Sequence, residues 1–262
     1  MNGTFTFLGT GTSQGVPIPA CLCHVCQSNN PKDNRLRSSG LIRLGNYTVS
    51  IDAGPDFRYQ MLRENVRSLD AILFTHEHRD HIAGVDDIRA YNYINNQLMP
   101  LYAPSEVVRA LQESYAYIFN SSYPGIPKVA LHEINEESFS LAELNIIPIP
   151  VFHHKLRVFG YRFGDLAYIT DAKTVPETSR ELIRNIPTLI INCLHEAKHI
   201  SHFNLEEALA FIDDIKPERT FLTHISHLFG TYEEIQSKLP PQVYAAFDGL
   251  TLTFNPQVID IC

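Results

Sequence analysis

Immediately after a short apolar run, Ala71-Ile72-Leu73-Phe74-Thr75, the chain places four metal-capable side chains within six positions: His76, His78, Asp80 and His81. A near-continuous apolar run of this length suits a strand buried on both faces, so the four polar groups stand at the mouth of such a strand. In extended backbone, residues two apart point the same way. His76 and His78 therefore face one centre, and Asp80 and His81 project toward a second. Core packing has no use for this pattern. The spacing predicts a metal site at a strand end.

The rest of the chain supplies the frame. Residues 4–8 read as a strand ended by the turn Gly9-Thr10-Gly11, and residues 41–44 and 47–51 as a hairpin turned at Gly45-Asn46. Residues 105–119 carry helical periodicity, with Val108, Leu111, Tyr115 and Ile118 on one face. Further strands are predicted over 145–151, 159–163, 167–170, 188–192 and 220–223. A helix over 205–215 opens on the capping box Asn204-x-x-Glu207 and closes before Pro217. Two strand-rich halves, each with helices outside, predict an α/β fold with two sheets packed face to face between helical layers. No Ser/Gly/Pro-rich linker interrupts this pattern, so residues 1–262 read as one domain.

Charge and composition narrow the function. The net charge of −8 opposes broad binding of a polyphosphate backbone, so nucleic acid is an unfavoured partner. A small phosphate ester held by metal ions is unaffected by that argument. No apolar segment reaches the length of a membrane span, and the N-terminus lacks the basic and apolar regions of a signal peptide. The five cysteines are Cys21, Cys23, Cys26, Cys193 and Cys262. An odd count without a leader points to a reducing cytoplasm and to metal binding.

The motif His76-x-His78-x-Asp80-His81 resembles the signature of the metallo-β-lactamase superfamily. That resemblance implies a four-layer αββα sandwich and two divalent metal ions, Mn or Zn. It also implies later ligands in chain order: a histidine in Val151-Phe152-His153-His154-Lys155, then Asp171 in Tyr168-Ile169-Thr170-Asp171, then His224 in Phe221-Leu222-Thr223-His224. Counting forward to Lys155 favours His153, whereas counting back from Gly160-Tyr161 favours His154; His153 is taken. The implied arrangement has His76, His78 and His153 on one metal, Asp80, His81 and His224 on the other, and Asp171 bridging. Aspartate at 171, where the best-known β-lactamases carry cysteine, argues against antibiotic hydrolysis.

Cys21-Leu22-Cys23-His24-Val25-Cys26 gathers three thiols in one loop, one short of a closed tetrahedral zinc site. His227 is the candidate fourth ligand and His24 its local competitor. Such a loop beside the metal motif resembles the PhnP-type phosphodiesterases of the carbon–phosphorus lyase pathway. This second resemblance implies hydrolysis of a small phosphodiester, including cyclic phosphates of ribose, with one structural zinc besides the two active-site ions. Since relatives pair, it also admits a homodimer. It points to Asp80 in catalysis and to His202 as general acid, with His199 as runner-up. Asp52, ending the strand over 47–51, is expected to orient a metal-bound histidine. Arg58 and Lys155 are basic residues that could meet phosphate but more commonly are solvated. His132, His195, Cys193 and Cys262 receive no role. A tRNA 3′-processing nuclease, a glyoxalase II-like thioesterase and, outside enzymes, a metal-supported binding module or cofactor-biosynthesis accessory protein are the competing readings.

Overall fold

Alternation along the apolar strands decides how the layers stack. In Leu41-Ile42 and in Ala71-Ile72-Leu73 every side chain is buried, but successive residues enter different cores. That is possible only for a sheet covered on both faces. The computed structural model, which describes residues 2–121 and 123–257, shows two such sheets.

The first sheet runs β14-β1-β2-β3-β4-β5-β6. Its strands are β1 (Gly3–Gly9), β2 (Ser39–Leu44), β3 (Tyr47–Ile51), β4 (Ala71–Leu73), β5 (Met99–Ala103), β6 (Val129–Glu133) and β14 (Thr251–Phe254). The second runs β13-β12-β11-β10-β9-β8-β7. It is built from β7 (Phe139–Leu141), β8 (Leu144–His153), β9 (Leu156–Phe163), β10 (Leu166–Ile169), β11 (Thr188–Asn192), β12 (Arg219–Thr223) and β13 (Val243–Ala245). Phe5, Phe7 and Leu73 of the first sheet meet Phe159, Tyr161 and Tyr168 of the second in a shared core.

The helices are α1 (Phe57–Arg63), α2 (Arg79–Ile82), α3 (Arg89–Asn95), α4 (Ser105–Ser114), α5 (Ala116–Asn120), α6 (Glu177–Glu181), α7 (Leu205–Ile215) and α8 (Tyr232–Lys238). α1, α3 and α4 cover the outer face of the first sheet, where Phe57, Tyr91 and Leu111 pack on Leu41 and Ile72. α7 and α8 cover the second, through Phe211, Ile215 and Ile235 against Leu189 and Leu222. The result is the predicted αββα sandwich. Among the described residues no helix is long and apolar enough to cross a membrane.

Two expectations change. The helix over 105–119 is two helices, because Tyr115 leaves helical backbone at φ −120, ψ 37 while its hydroxyl donates to Ile82 O at 2.9 Å. Val107, fully buried, turns into the core in place of Val108, which is only partly covered. The helix over 205–215 and its capping box form as expected, with Asn204 Oδ1 accepting from Glu207 N at 3.1 Å.

Candidate metal centre

The candidate ligands are set at one end of both sheets. Asp52 follows β3, His76 comes three residues after β4, His153 ends β8, Asp171 comes two residues after β10 and His224 follows β12. Carboxyl ends of parallel strands are where open α/β sheets place ligands. Three of these residues, Asp52, Asp171 and His224, hold left-handed backbone at φ 64, 56 and 55. Non-glycine residues rarely do so, and such strain is kept where the surrounding structure fixes a functional side chain. Gly54 lets the loop after Asp52 lie on the motif, since a Cβ there would sit 2.0 Å from Asp80 O.

His78 is extended, as expected, and caps α2, a single turn that carries Asp80 and His81. His76 and His81 are fully buried, Asp80 nearly so, and His78 is exposed. Asp52 accepts hydrogen bonds from Thr75 N at 2.8 Å and from His81 Nδ1 at 2.7 Å. With its Nδ1 proton held there, His81 turns Nε2 inward, toward Asp80 Oδ2 at 3.3 Å and Asp171 Oδ2 at 3.6 Å. His76 Nε2 lies 3.7 Å from the same Asp171 oxygen. Neither of these two buried nitrogens makes a hydrogen bond among the described residues.

On the far side His153 donates Nδ1–H to Ser201 O at 2.8 Å, and its ring lies 5.1 Å from that of His78. His154 sits in the exposed turn with Lys155 at φ 56 and takes no part. His224 Nδ1 lies 3.0 Å from Asp171 Oδ1 and 3.1 Å from Ser38 Oγ. His202, buried, stacks on His224 at 4.6 Å and stands 4.5 Å from His153, whereas His199 is a further 5.2 Å out, measured from the His202 ring.

Three sets of donor atoms lie within 4.8 Å of one another: His76, His81 and Asp171; His78, His153 and Asp171; and Asp171, His202 and His224. These sets cross the expected division into two triads, since His76 joins His81 and His224 joins His202. The reason is geometric: Asp171 is common to all three, so each set is one view of a single cluster around its carboxylate.

Electrostatics favour a cation here. Burial opposes charge on His81, yet Asp52, Asp171 and Asp80 outweigh it and raise its pKa well above the ordinary value. Burial would likewise raise Asp171, but His224 and His81 hold it well below the usual carboxylate range. Burial, then His81, keeps His76 neutral with its lone pair free. Clustered carboxylates, neutral imidazoles and two buried nitrogens without partners form the donor set of a divalent metal site.

The cysteine loop forms a second site. Cys21, Cys23 and Cys26 Sγ lie 3.4, 3.4 and 3.5 Å from His227 Nδ1. Zinc bonds of about 2.3 Å to sulfur and about 2.0 Å to nitrogen place S and N about 3.5 Å apart in a tetrahedron, so the four ligands fit zinc. His24 instead turns outward to Glu234 at 3.1 Å.

Sequence reasoning missed Ser38 and the Ser201 carbonyl, which orient His224 and His153. Neither has a spacing signal, because both contacts are made only by tertiary folding. Arg58 and Lys155 are exposed, His132 stacks on Tyr102 at 4.6 Å, Cys193 is buried, and Cys262 lies outside the described residues.

Asp52→Asn tests the orienting contact. The amide cannot accept from both Thr75 and His81 as the carboxylate does. Active-site metal affinity is expected to fall by about 10–100-fold, read by Mn titration. Unchanged affinity would remove Asp52 from this role.

Residues 47–225 match the β-lactamase superfamily domain model. The chain belongs to the metallo-β-lactamase superfamily. Within it, the chain is similar to a solved diphosphatase of the PhnP family, at 39% identity over 97% of this chain and 98% of that one, with a TM-score of 0.91. It is also similar to the Zn(2+)-bound PqqB of Methylobacterium extorquens at 21% identity over 95% and 99% of the chains, TM-score 0.78, a likeness of fold. A curated octanoyltransferase of Porphyromonas gingivalis (strain ATCC BAA-308 / W83) is 36% identical over 97% of this chain. The chain spans about half the length, 52%, of that relative.

Proposed function

We propose that the chain is a dinuclear metal-dependent phosphodiesterase acting on a small diester, with five-membered cyclic phosphates of ribose as the favoured class. The observation that carries this reading is Asp171, shared by three converging donor sets, with a buried imidazole, His202, stacked beside them. The similarity to a PhnP-family diphosphatase supports phosphorus over carbon as the centre attacked.

His76, His78 and His153 would hold one cation, Asp80, His81 and His224 the other, with Asp171 between. Two cations so placed supply a metal-activated water and positive charge for the phosphate oxygens. The protein's own groups do the rest. Asp52 and Ser201 O fix the ring orientations of His81 and His153, and His81, charged in the free protein, would give up its Nε2 proton to a cation. His202 donates a proton to the departing alkoxide. Burial, then His224, pushes its pKa down to about 2 in the free protein, so proton donation requires the negative charge of a bound phosphate to raise it.

The octanoyltransferase relative suggests a second reading, acyl transfer. This chain's Cys193, the thiol outside the zinc loop among the described residues, is fully buried, and burial pushes its pKa up. A thiol so buried and held protonated gives no support to acyl transfer through Cys193.

The test compares leaving groups. With His202→Ala, hydrolysis of an alkyl-leaving cyclic diester is expected to fall by about 10²–10⁴-fold. Bis(p-nitrophenyl) phosphate, whose leaving group needs little protonation, should fall by about tenfold or less at unchanged metal content. Equal losses on both substrates would reduce His202 to a structural residue. No hydrolysis of either diester by the metal-loaded wild type, with turnover of S-lactoylglutathione instead, would replace the reading with a thioesterase.

A further inference from the structure

The outer helical layer carries a groove that the active site does not use. Between α1 and α3 lies a surface cavity of about 520 Å³. Its floor is apolar and buried: Phe57 and Tyr91 pack edge to face at 6.5 Å, with Met61 and Val66 beside them. Its walls are apolar and uncovered, since Leu62, Tyr93 and Ile94 are 62%, 64% and 77% exposed. Scattered exposed side chains of this kind are ordinary, but a contiguous set over an apolar floor marks a surface that another molecule covers.

Charge identifies the occupant. Arg58, Arg67 and Arg89 line the groove and are exposed, against one lining acid, Asp87. The neighbouring acids are engaged elsewhere, Asp56 with Arg37 at 3.0 Å and Glu64 with Arg63 at 2.8 Å. Arg89 reaches Asp86 only at 3.7 Å, and Arg58 and Arg67 form no ion pair among the described residues. On a chain of net charge −8, this is a basic rim around an apolar slot. Apolar floor, tyrosine and arginine are the composition of interface centres.

The shape narrows it further. A helix laid along the groove covers both walls at once, with anchors at i, i+3/i+4 and i+7 spacing. A second copy of this chain, paired about a two-fold axis through the groove, would bring arginine against arginine. We infer that the α1/α3 groove docks an acidic amphipathic helix of a partner protein, its apolar stripe on Leu62, Tyr93 and Ile94 and its carboxylates on Arg58, Arg67 and Arg89.

The probe is a synthetic amphipathic helix of about 18 residues, with leucines at that spacing and flanking glutamates, beside a version with lysine for each glutamate. Binding to the metal-loaded chain is read by fluorescence anisotropy. The glutamate peptide is expected to bind at least about tenfold more tightly than the lysine peptide, and to weaken as salt rises from about 0.05 to about 0.3 M. Arg67→Glu/Arg89→Glu and, separately, Ile94→Ser should each weaken it by about tenfold or more while diester hydrolysis stays within about twofold of wild type. Equal binding of both peptides, binding of neither, or indifference to these substitutions would overturn the inference. So would sedimentation showing a dimer that Ile94→Ser dissociates, or dodecanoate binding in the groove while neither peptide binds.

Discussion

Asp171→Ala is expected to abolish diester hydrolysis, with kcat/KM falling on the order of 10³-fold or more, and to empty the active centre of metal. No other residue joins all three converging donor sets. Removing its carboxylate takes one oxygen from His76 and His81, at 3.7 and 3.6 Å, and the other from His224 at 3.0 Å. It also deletes negative charge from a buried cluster of imidazoles, in which the rings of His76 and His81 lie only 4.0 Å apart. A divalent cation brought among neutral and protonated histidines without that charge is poorly held. Metal analysis and hydrolysis of bis(p-nitrophenyl) phosphate check the expectation together, with circular dichroism to show that the fold persists. Activity within tenfold of wild type would mean that Asp171 is not the bridging group.

The second large effect concerns the cysteine loop. Cys23→Ser combined with His227→Ala is expected to release the structural zinc and lower Tm by several degrees, because about 1 kcal/mol shifts Tm by roughly 2–4 °C in a chain of this size. Besides His227, the loop is tied to the body through the exposed His24–Glu234 contact at 3.1 Å and, just before it, the Val16–Arg35 bridge. His227 stands three residues after His224, and Ile225 N donates to Thr10 O at 2.8 Å beside Gly11, whose carbonyl accepts from Ser38 Oγ. Loosening the loop therefore reaches His224 through Ser38. Activity should fall by about 10–100-fold although no active-site ligand is touched. Zinc retained in full by the double variant would contradict the four-ligand site, and zinc lost with activity unchanged would break its link to His224.

What could be read from the sequence, and what could not, divides along physical lines. His76, His78, Asp80 and His81 were legible because their neighbours in space are their neighbours in sequence, at the end of a run that only a doubly covered strand tolerates. His153, Asp171 and His224 each follow a strand, but a single residue after a strand says little, and it took the resemblance to a family to order them. The grouping around Asp171 was not legible. It depends on how far the ends of β8, β10 and β12 approach β4, which no spacing within one strand encodes. The same holds for Ser38 and the Ser201 carbonyl. Among the elements, β11 and α7 were read to the residue because one has the apolar centre Leu189-Ile190-Ile191 and the other carries a capping box and a closing proline. β5, β6, β13 and β14 escaped because they are short, carry Pro100 or are half exposed at an edge, where alternation fades. The break at Tyr115 arises from one tertiary hydrogen bond to Ile82 O, which helical periodicity does not see.

The central claim, a dinuclear centre beside a structural zinc, is tested most directly by metal content per chain, measured by mass spectrometry on untagged protein and on Asp80→Ala/His81→Ala. The account predicts about three metal ions in the wild type, with the cysteine-held zinc retained in the variant and active-site metal lost. One ion or none in the wild type after Mn and Zn supplementation, or the same content in the variant, would contradict it.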